Sequence, residues 1–155
     1  MQVRRMSLDH LAAVVEIDHA SFKLPWSERA YQYEMTGNSA ARCWVSEVDA
    51  QVAAMLIIWM ILDEAHIATI ATHPEFRRRG IAKRLLMDAL ISAREEGARS
   101  ALLEVRAGND SAQEMYKLFG FKTVGRRKNY YKDNNEDAVL MTLESLDELS
   151  VMQER

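Results

Sequence analysis

The chain has 155 residues, 48% apolar and 28% charged, which fits one domain with a sizeable core and excludes a disordered segment. A net charge of −3 argues against a surface built to wrap nucleic acid, and the lone Cys43 excludes an internal disulfide framework. The longest apolar run, Val52 to Leu62, is too short to span a bilayer and the start carries no signal-like segment, so a cytoplasmic protein without membrane contact is expected.

Gln2 to Met6 reads as a short edge strand. Ser7 is placed to cap a helix whose apolar positions are Leu8, Leu11, Val14, Val15 and Ile17. The stretch Phe22-Lys23-Leu24-Pro25-Trp26 breaks that helix, and Ser27 caps a second, short one. Cys43 to Val48, Val52 to Leu62 and His66 to Thr72 read as strands, with a turn near Asp49. Helical spacing returns from Ile81 to Ala93, and Gly97 fits the residue just past a helix end. Ala101 to Val105 is a strand, Asn109 a cap, and the helix it opens ends at Phe119-Gly120. Phe121 to Gly125 and Ala138 to Leu143 close the order β-α-α-β-β-β-α-β-α-β-β. Hairpins plus two crossover helices imply an α/β fold, a mixed sheet with helices on both faces. In such sheets ligands sit at the carboxyl ends of strands, where neighbouring strands part. The Gly80 turn and the end of the Glu104 strand lie at that edge.

The most informative segment is Arg77-Arg78-Arg79-Gly80-Ile81-Ala82-Lys83, at the handover from a strand to a helix. The first N–H groups of a helix have no intrahelical partner, and the helix dipole adds positive charge there. A glycine lets an anion come close to those amides, and the arginines add full charges. A pyrophosphate is the natural ligand; a solvated basic face is the bland alternative. No His, Cys, Asp and Glu spacing suggests a metal site. His66 and His73 read as structural histidines, and the nine methionines as core filler. Cys43, on an apolar strand, has no evident base partner for covalent catalysis.

Three strings then follow in order, R-R-R-G-I-A, L-L-E-V-R-A-G-N-D and M-Y-K-L-F-G-F, joined by P-W-S at 25–27, L-D-E-A at 62–65 and R-R-K-N-Y-Y with E-D-A-V-L-M at 126–141. With these the chain resembles the GNAT acyltransferases over nearly its whole length. The paired tyrosines before a D-A-x-x-M strand resemble those members that acetylate protein N-termini. Ala82 stands where the second turn glycine is usual, and Thr72-His73 where Val-Asp is commoner; neither removes a group the chemistry needs.

The resemblance implies one GNAT domain over 1–155, with 144–155 a short C-terminal tail. It also implies a mixed, mostly antiparallel sheet of about seven strands with four helices on both faces. It implies acetyl-CoA as co-substrate and a protein or peptide N-terminus, such as that of a ribosomal protein, as acceptor. Ile70, Ala71 and Thr72 would pair with the pantetheine arm as an added strand does. Arg78, Arg79, Gly80, Ile81, Ala82 and Lys83 would cradle the pyrophosphate, and Asn109 would touch the cofactor. Glu104 would be the general base, and Tyr116, at the cofactor, would protonate the leaving thiolate. Phe22, Leu24 and Trp26 on one side and Tyr130 and Tyr131 on the other would hold the substrate. A small-molecule acetyltransferase and a non-catalytic acyl-CoA-binding module are the alternatives.

Overall fold

The structure, a computed structural model, describes residues 1–149. Its strands are β1 Gln2–Arg5, β2 Ala41–Val48, β3 Gln51–Ile61, β4 Glu64–Thr72, β5 Ser100–Arg106, β6 Lys122–Tyr131 and β7 Glu136–Leu143. Its helices are α1 Leu11–Ser21, α2 Glu28–Thr36, α3 Ile81–Glu95 and α4 Asp110–Phe119. The sheet order is β1-β2-β3-β4-β5-β7-β6. β4 and β5 run parallel, whereas β1–β2, β2–β3, β5–β7 and β6–β7 are antiparallel, so the sheet is mixed and mostly antiparallel. Among the described residues no helix is long and apolar enough to cross a membrane.

The residues fall into two compact units: Met1–Met60 with Ala68–Ala89, and Ile61–Ile67 with the described residues from Leu90 on. In the first, Ser7 opens a 3-10 turn, Leu8–His10, before α1 begins; its N–H donates to His10 Nδ1 at 2.9 Å. Leu8 therefore points to solvent, 52% exposed, and the core face of α1 is carried by Val14 and Ile17. The Ser27 hydroxyl accepts the Ala30 N–H at 3.1 Å and starts α2, as a side-chain cap does. Met6, Val14, Ile17, Tyr31, Cys43, Val45, Met55, Ile57 and Ala71 form one buried cluster. β2 and β3 are joined through Asp49 and Ala50, both at positive φ, the geometry of a two-residue hairpin.

In the second unit β4 pairs with β5 from Glu64–Ser100 to His66–Leu102. Leu62, expected to end a strand, instead occupies the turn before β4 at φ 56° and is 95% exposed. α3 ends at Gly97, φ 108°, with the Ala98 N–H returning to the Ala93 carbonyl. α4 begins at Asn109, whose Oδ1 accepts the Ala112 N–H at 3.2 Å, and stops at Gly120, φ 101°. Leu146 and Leu149 are buried, and the Leu146 N–H bonds the Arg99 carbonyl, so residues 144–149 of the expected tail pack onto this unit. Residues 150–155 lie outside the described residues. β6 runs six residues past the expected Gly125 end, and that extension carries much of the candidate site.

Candidate active site

In the first unit, β4 ends at Thr72 and the 3-10 turn Pro74–Phe76 leads to Arg77. The His73 imidazole caps this turn by accepting the Glu75 N–H at Nδ1, 3.1 Å, so this histidine is structural as expected. Gly80 has φ 74° and opens α3; the first helical bond runs from the Arg84 N–H to the Gly80 carbonyl. The amides of Ile81, Ala82 and Lys83 thus stand at a 15-residue helix's start, where they lack intrahelical partners. A Cβ built on Gly80 meets nothing within 4 Å. The open space, the amides and the exposed Arg78 and Arg79 fit a pyrophosphate.

The three arginines differ in posture. Arg77 folds back, its Nε donating to the Thr72 carbonyl at 3.1 Å and its Nη2 reaching Ser21 Oγ at 3.4 Å. Arg79 rests over the Phe76 ring at 5.3 Å. Arg78 has φ 64°, a left-handed conformation that few arginines adopt. The Thr72 carbonyl expected to meet the pantetheine arm therefore already accepts one hydrogen bond.

Among the expected substrate residues of this unit, Phe22 and Trp26 pack against the core and Leu24 is 63% exposed. Trp26 lies 5.2 Å from Tyr31 and stacks on Trp59 at 6.3 Å with 9° between planes. Trp59 is fixed in turn by its Nε1–H donating to Glu34 at 3.0 Å. Below them the Tyr31 hydroxyl donates to buried Asp18 at 2.6 Å, and burial lifts that phenol far above its ordinary pKa. Cys43 is buried and its thiol is pushed up to about 11 by desolvation, in keeping with a non-catalytic residue.

In the second unit, Glu104 sits on β5 with its side chain one-third exposed. Its ion pair is with Arg127 Nε at 3.9 Å, not with neighbouring Arg106. Interaction with the same Glu104 carboxylate, aided by partial burial, holds the Tyr130 phenol above its usual pKa. Tyr130 and Tyr131 meet edge to face at 5.2 Å; the first is 40% exposed and neither is core. Tyr131 is pushed up to about 12, chiefly by burial; the Arg106 charge opposes this and that of Glu104 adds to it. On α4, Tyr116 is 4% exposed and packs on Phe121 at 5.8 Å; burial lifts its pKa well above the phenol reference. The Asn109 Oδ1 is spent on capping α4, which leaves its amide N–H groups for a ligand.

Sequence reasoning missed a network around Arg106. Its guanidinium bridges Asp133 (3.1 Å) and Glu136 (3.2 Å) and lies 4.0 Å from the Tyr131 ring centre. Glu136 also accepts the Gly108 N–H at 2.6 Å, and this bond with that from Asn134 holds its carboxyl below the usual range. One arginine thus ties together the β5 end, the loop before α4 and the β6–β7 hairpin. The acidic run Asp133 to Asp137 after a tyrosine pair was the only available signal. Elsewhere in this unit, His66 pairs with Glu64 at 3.2 Å. Among the described residues no cluster of three or more His, Cys, Asp or Glu is arranged to hold a metal.

Each set has a plain chemical capacity. The first offers a cationic, amide-lined anion cradle at a helix start. The second offers a carboxylate open to solvent, paired with an arginine, and a buried phenol that stays neutral.

Residues 11–121 match the profile of the Acetyltransferase (GNAT) family. A Bacillus subtilis (strain 168) protein, provisionally named ribosomal protein bS18-alanine N-acetyltransferase, is 40% identical over 139 residues, covering 90% of this chain and 92% of its own length. The ribosomal protein bS18-alanine N-acetyltransferase of Salmonella typhimurium is 34% identical over 142 residues, covering 89% and 93%. The crystal structure of the ribosomal-protein-S18-alanine N-acetyltransferase from Escherichia coli superposes with a TM-score of 0.84 at 29% identity, covering 92% of each chain.

Proposed function

This chain belongs to the GNAT family of acetyltransferases, and on that premise we propose that it moves acetyl from acetyl-CoA to the N-terminal α-amine of a protein such as ribosomal protein bS18, by direct transfer in a ternary complex. The observation that carries the reading is the 40% identity to a relative of that name across nine-tenths of both chains. The same coverage supports reading 1–155 as one catalytic domain.

The chemistry assigns roles to the residues described above. An amine attacks a thioester only as the free base. Losing the proton at pH 7 costs about 1 kcal/mol for an α-amine and close to 5 for lysine, from reference pKa values of about 8 and 10.4. Glu104, directly or through a water, takes that proton. A backbone N–H near Ala71 stabilises the charge on the carbonyl oxygen. Tyr116 gives its proton to the departing thiolate, and its burial favours the neutral form that can do so. No acyl-enzyme is needed. Ile70, Ala71 and Thr72 hold the pantetheine arm, the Arg78 to Lys83 segment the pyrophosphate, and Asn109 a further contact. Phe22, Leu24, Trp26, Tyr130 and Tyr131 are assigned to the peptide.

The test is acetyl-CoA turnover on peptides beginning with alanine, serine or methionine, against an N-blocked, lysine-containing control. Acetylation of the free α-amine alone is the expected result. Activity confined to small polyamines or aminoglycosides would replace the protein substrate with a small one. Binding of CoA without any transfer would reduce the chain to a binding module.

A further inference from the structure

Glu104 on β5 faces Leu140 on β7, and Leu140 faces Gly125 on β6. Gly125 brings no side chain to that level of the sheet. Beyond it the register slips: Arg127 faces Ala138, and the next matched pair is Tyr131 with Glu136. From 127 to 131 β6 advances four steps while β7, from 138 to 136, advances two. The surplus is taken up around Asn129, which has φ 53° and whose N–H donates to Asp137 Oδ1 at 3.0 Å. Asp137 is itself paired with Arg126 at 3.4 Å, so the bulge is tied down on both sides.

In an uninterrupted strand, residues three apart point to opposite faces. Here the Arg127 guanidinium both pairs with Glu104 at 3.9 Å and lies 5.7 Å from the Tyr130 ring centre. Bulges re-aim side chains beside functional sites. An exposed ion pair adds little to folding stability, and the Arg127 side chain is 58% exposed. Stability is therefore a weak reason for the arrangement, and geometry a strong one. A glutamate has three rotatable bonds, and a cation held beside its carboxylate from β6 restricts that freedom.

We propose that Arg127 is a positioning residue for Glu104, brought beside its carboxylate by the Asn129 bulge so that it meets the substrate amine in one orientation. This deepens the reading of Glu104 as general base and rests on it. The amine does not contact Arg127; the guanidinium acts through the carboxylate.

Steady-state acetylation of an N-terminal peptide by the intact chain separates the possibilities, using Arg127→Gln, Arg127→Lys and Glu104→Gln with a thermal melt of each. Arg127→Gln should lower kcat about tenfold, leave KM for acetyl-CoA and the peptide within about twofold, and melt with the parent. Arg127→Lys, which keeps the charge, should recover most of that loss. Asn129→Val, which strains the left-handed position, should reproduce the kcat loss, whereas Asn129→Gly should not. Parental kcat in Arg127→Gln, beside a strongly slowed Glu104→Gln, would overturn the clamp and leave the base intact. An effect of Arg127→Gln confined to the peptide KM would also overturn it, by making Arg127 a substrate contact. A fully active Glu104→Gln would remove base and clamp together.

Discussion

At Gly80 a positive φ coincides with vacant space where a side chain would stand. Valine at that position carries a strain of about 1–2 kcal/mol and fills the room proposed for the phosphates. The folded Gly80→Val protein should therefore lose at least about tenfold in acetyl-CoA affinity, measured by calorimetry on the fraction that remains folded. Unchanged affinity would contradict the assignment of the turn. Glu104→Gln should slow acetylation by about a hundredfold, with part of the rate returning as pH rises through the range where solvent deprotonates the amine. A rate ratio flat across pH would argue against the base. Tyr116 has the opposite sign of dependence: its buried phenol is held neutral above the reference pKa of about 10. Activity should thus show no decline below pH 10, and a decline centred near 8.5 would transfer the acid role elsewhere.

Among the elements, α4 and the β6–β7 hairpin show what patterning can and cannot reveal. Ser27, Asn109, Gly97 and Gly120 were legible because capping chemistry is local: a side-chain oxygen three residues from an amide, or a residue at positive φ. Leu8 misled because a 3-10 turn shifts the helix phase before α1 starts. The length of β6 was hidden for a related reason. Its second half, Arg126 to Tyr131, is largely exposed and bulged, so it lacks the alternation that marks a strand. The partners of Glu104 and Arg106 come from that stretch and the hairpin after it, and no spacing rule forecasts pairings over 20 to 30 residues. A test at this scale is Gly108→Ala. Its Cβ would stand 2.7 Å from the Glu136 carboxylate and so push it off the Gly108 amide and Arg106. The melting temperature should fall, and amide exchange should quicken in the hairpin at residues 132–135 and in the loop before α4 while α1 stays protected. Uniform loosening would mean that the Arg106 network does not hold these segments as a group.

On the scale of the whole molecule, ionisation should limit the alkaline range of folding. Tyr31, Tyr116 and Tyr131 have pKa values raised by burial, so folding favours their neutral forms. Their contribution is complete below the unfolded value of about 10 and is lost as pH climbs toward the folded values. Urea midpoints should hold to about pH 10 and then fall steeply; a midpoint indifferent to alkali would show that these phenols find water in the native state. Because the Cys43 thiol is buried and pushed up to about 11, the native chain should resist iodoacetamide at pH 8 and react once unfolded.

The stacked indoles of Trp26 and Trp59 have an optical consequence. Two stacked, nearly parallel chromophores 6.3 Å apart couple their transitions, and the first belongs to the loop assigned to the incoming peptide. With Trp44 replaced by phenylalanine, near-ultraviolet dichroism would come mainly from that pair, giving a label-free signal for titrating acceptor peptides and ranking their sequences before any acetyl group moves.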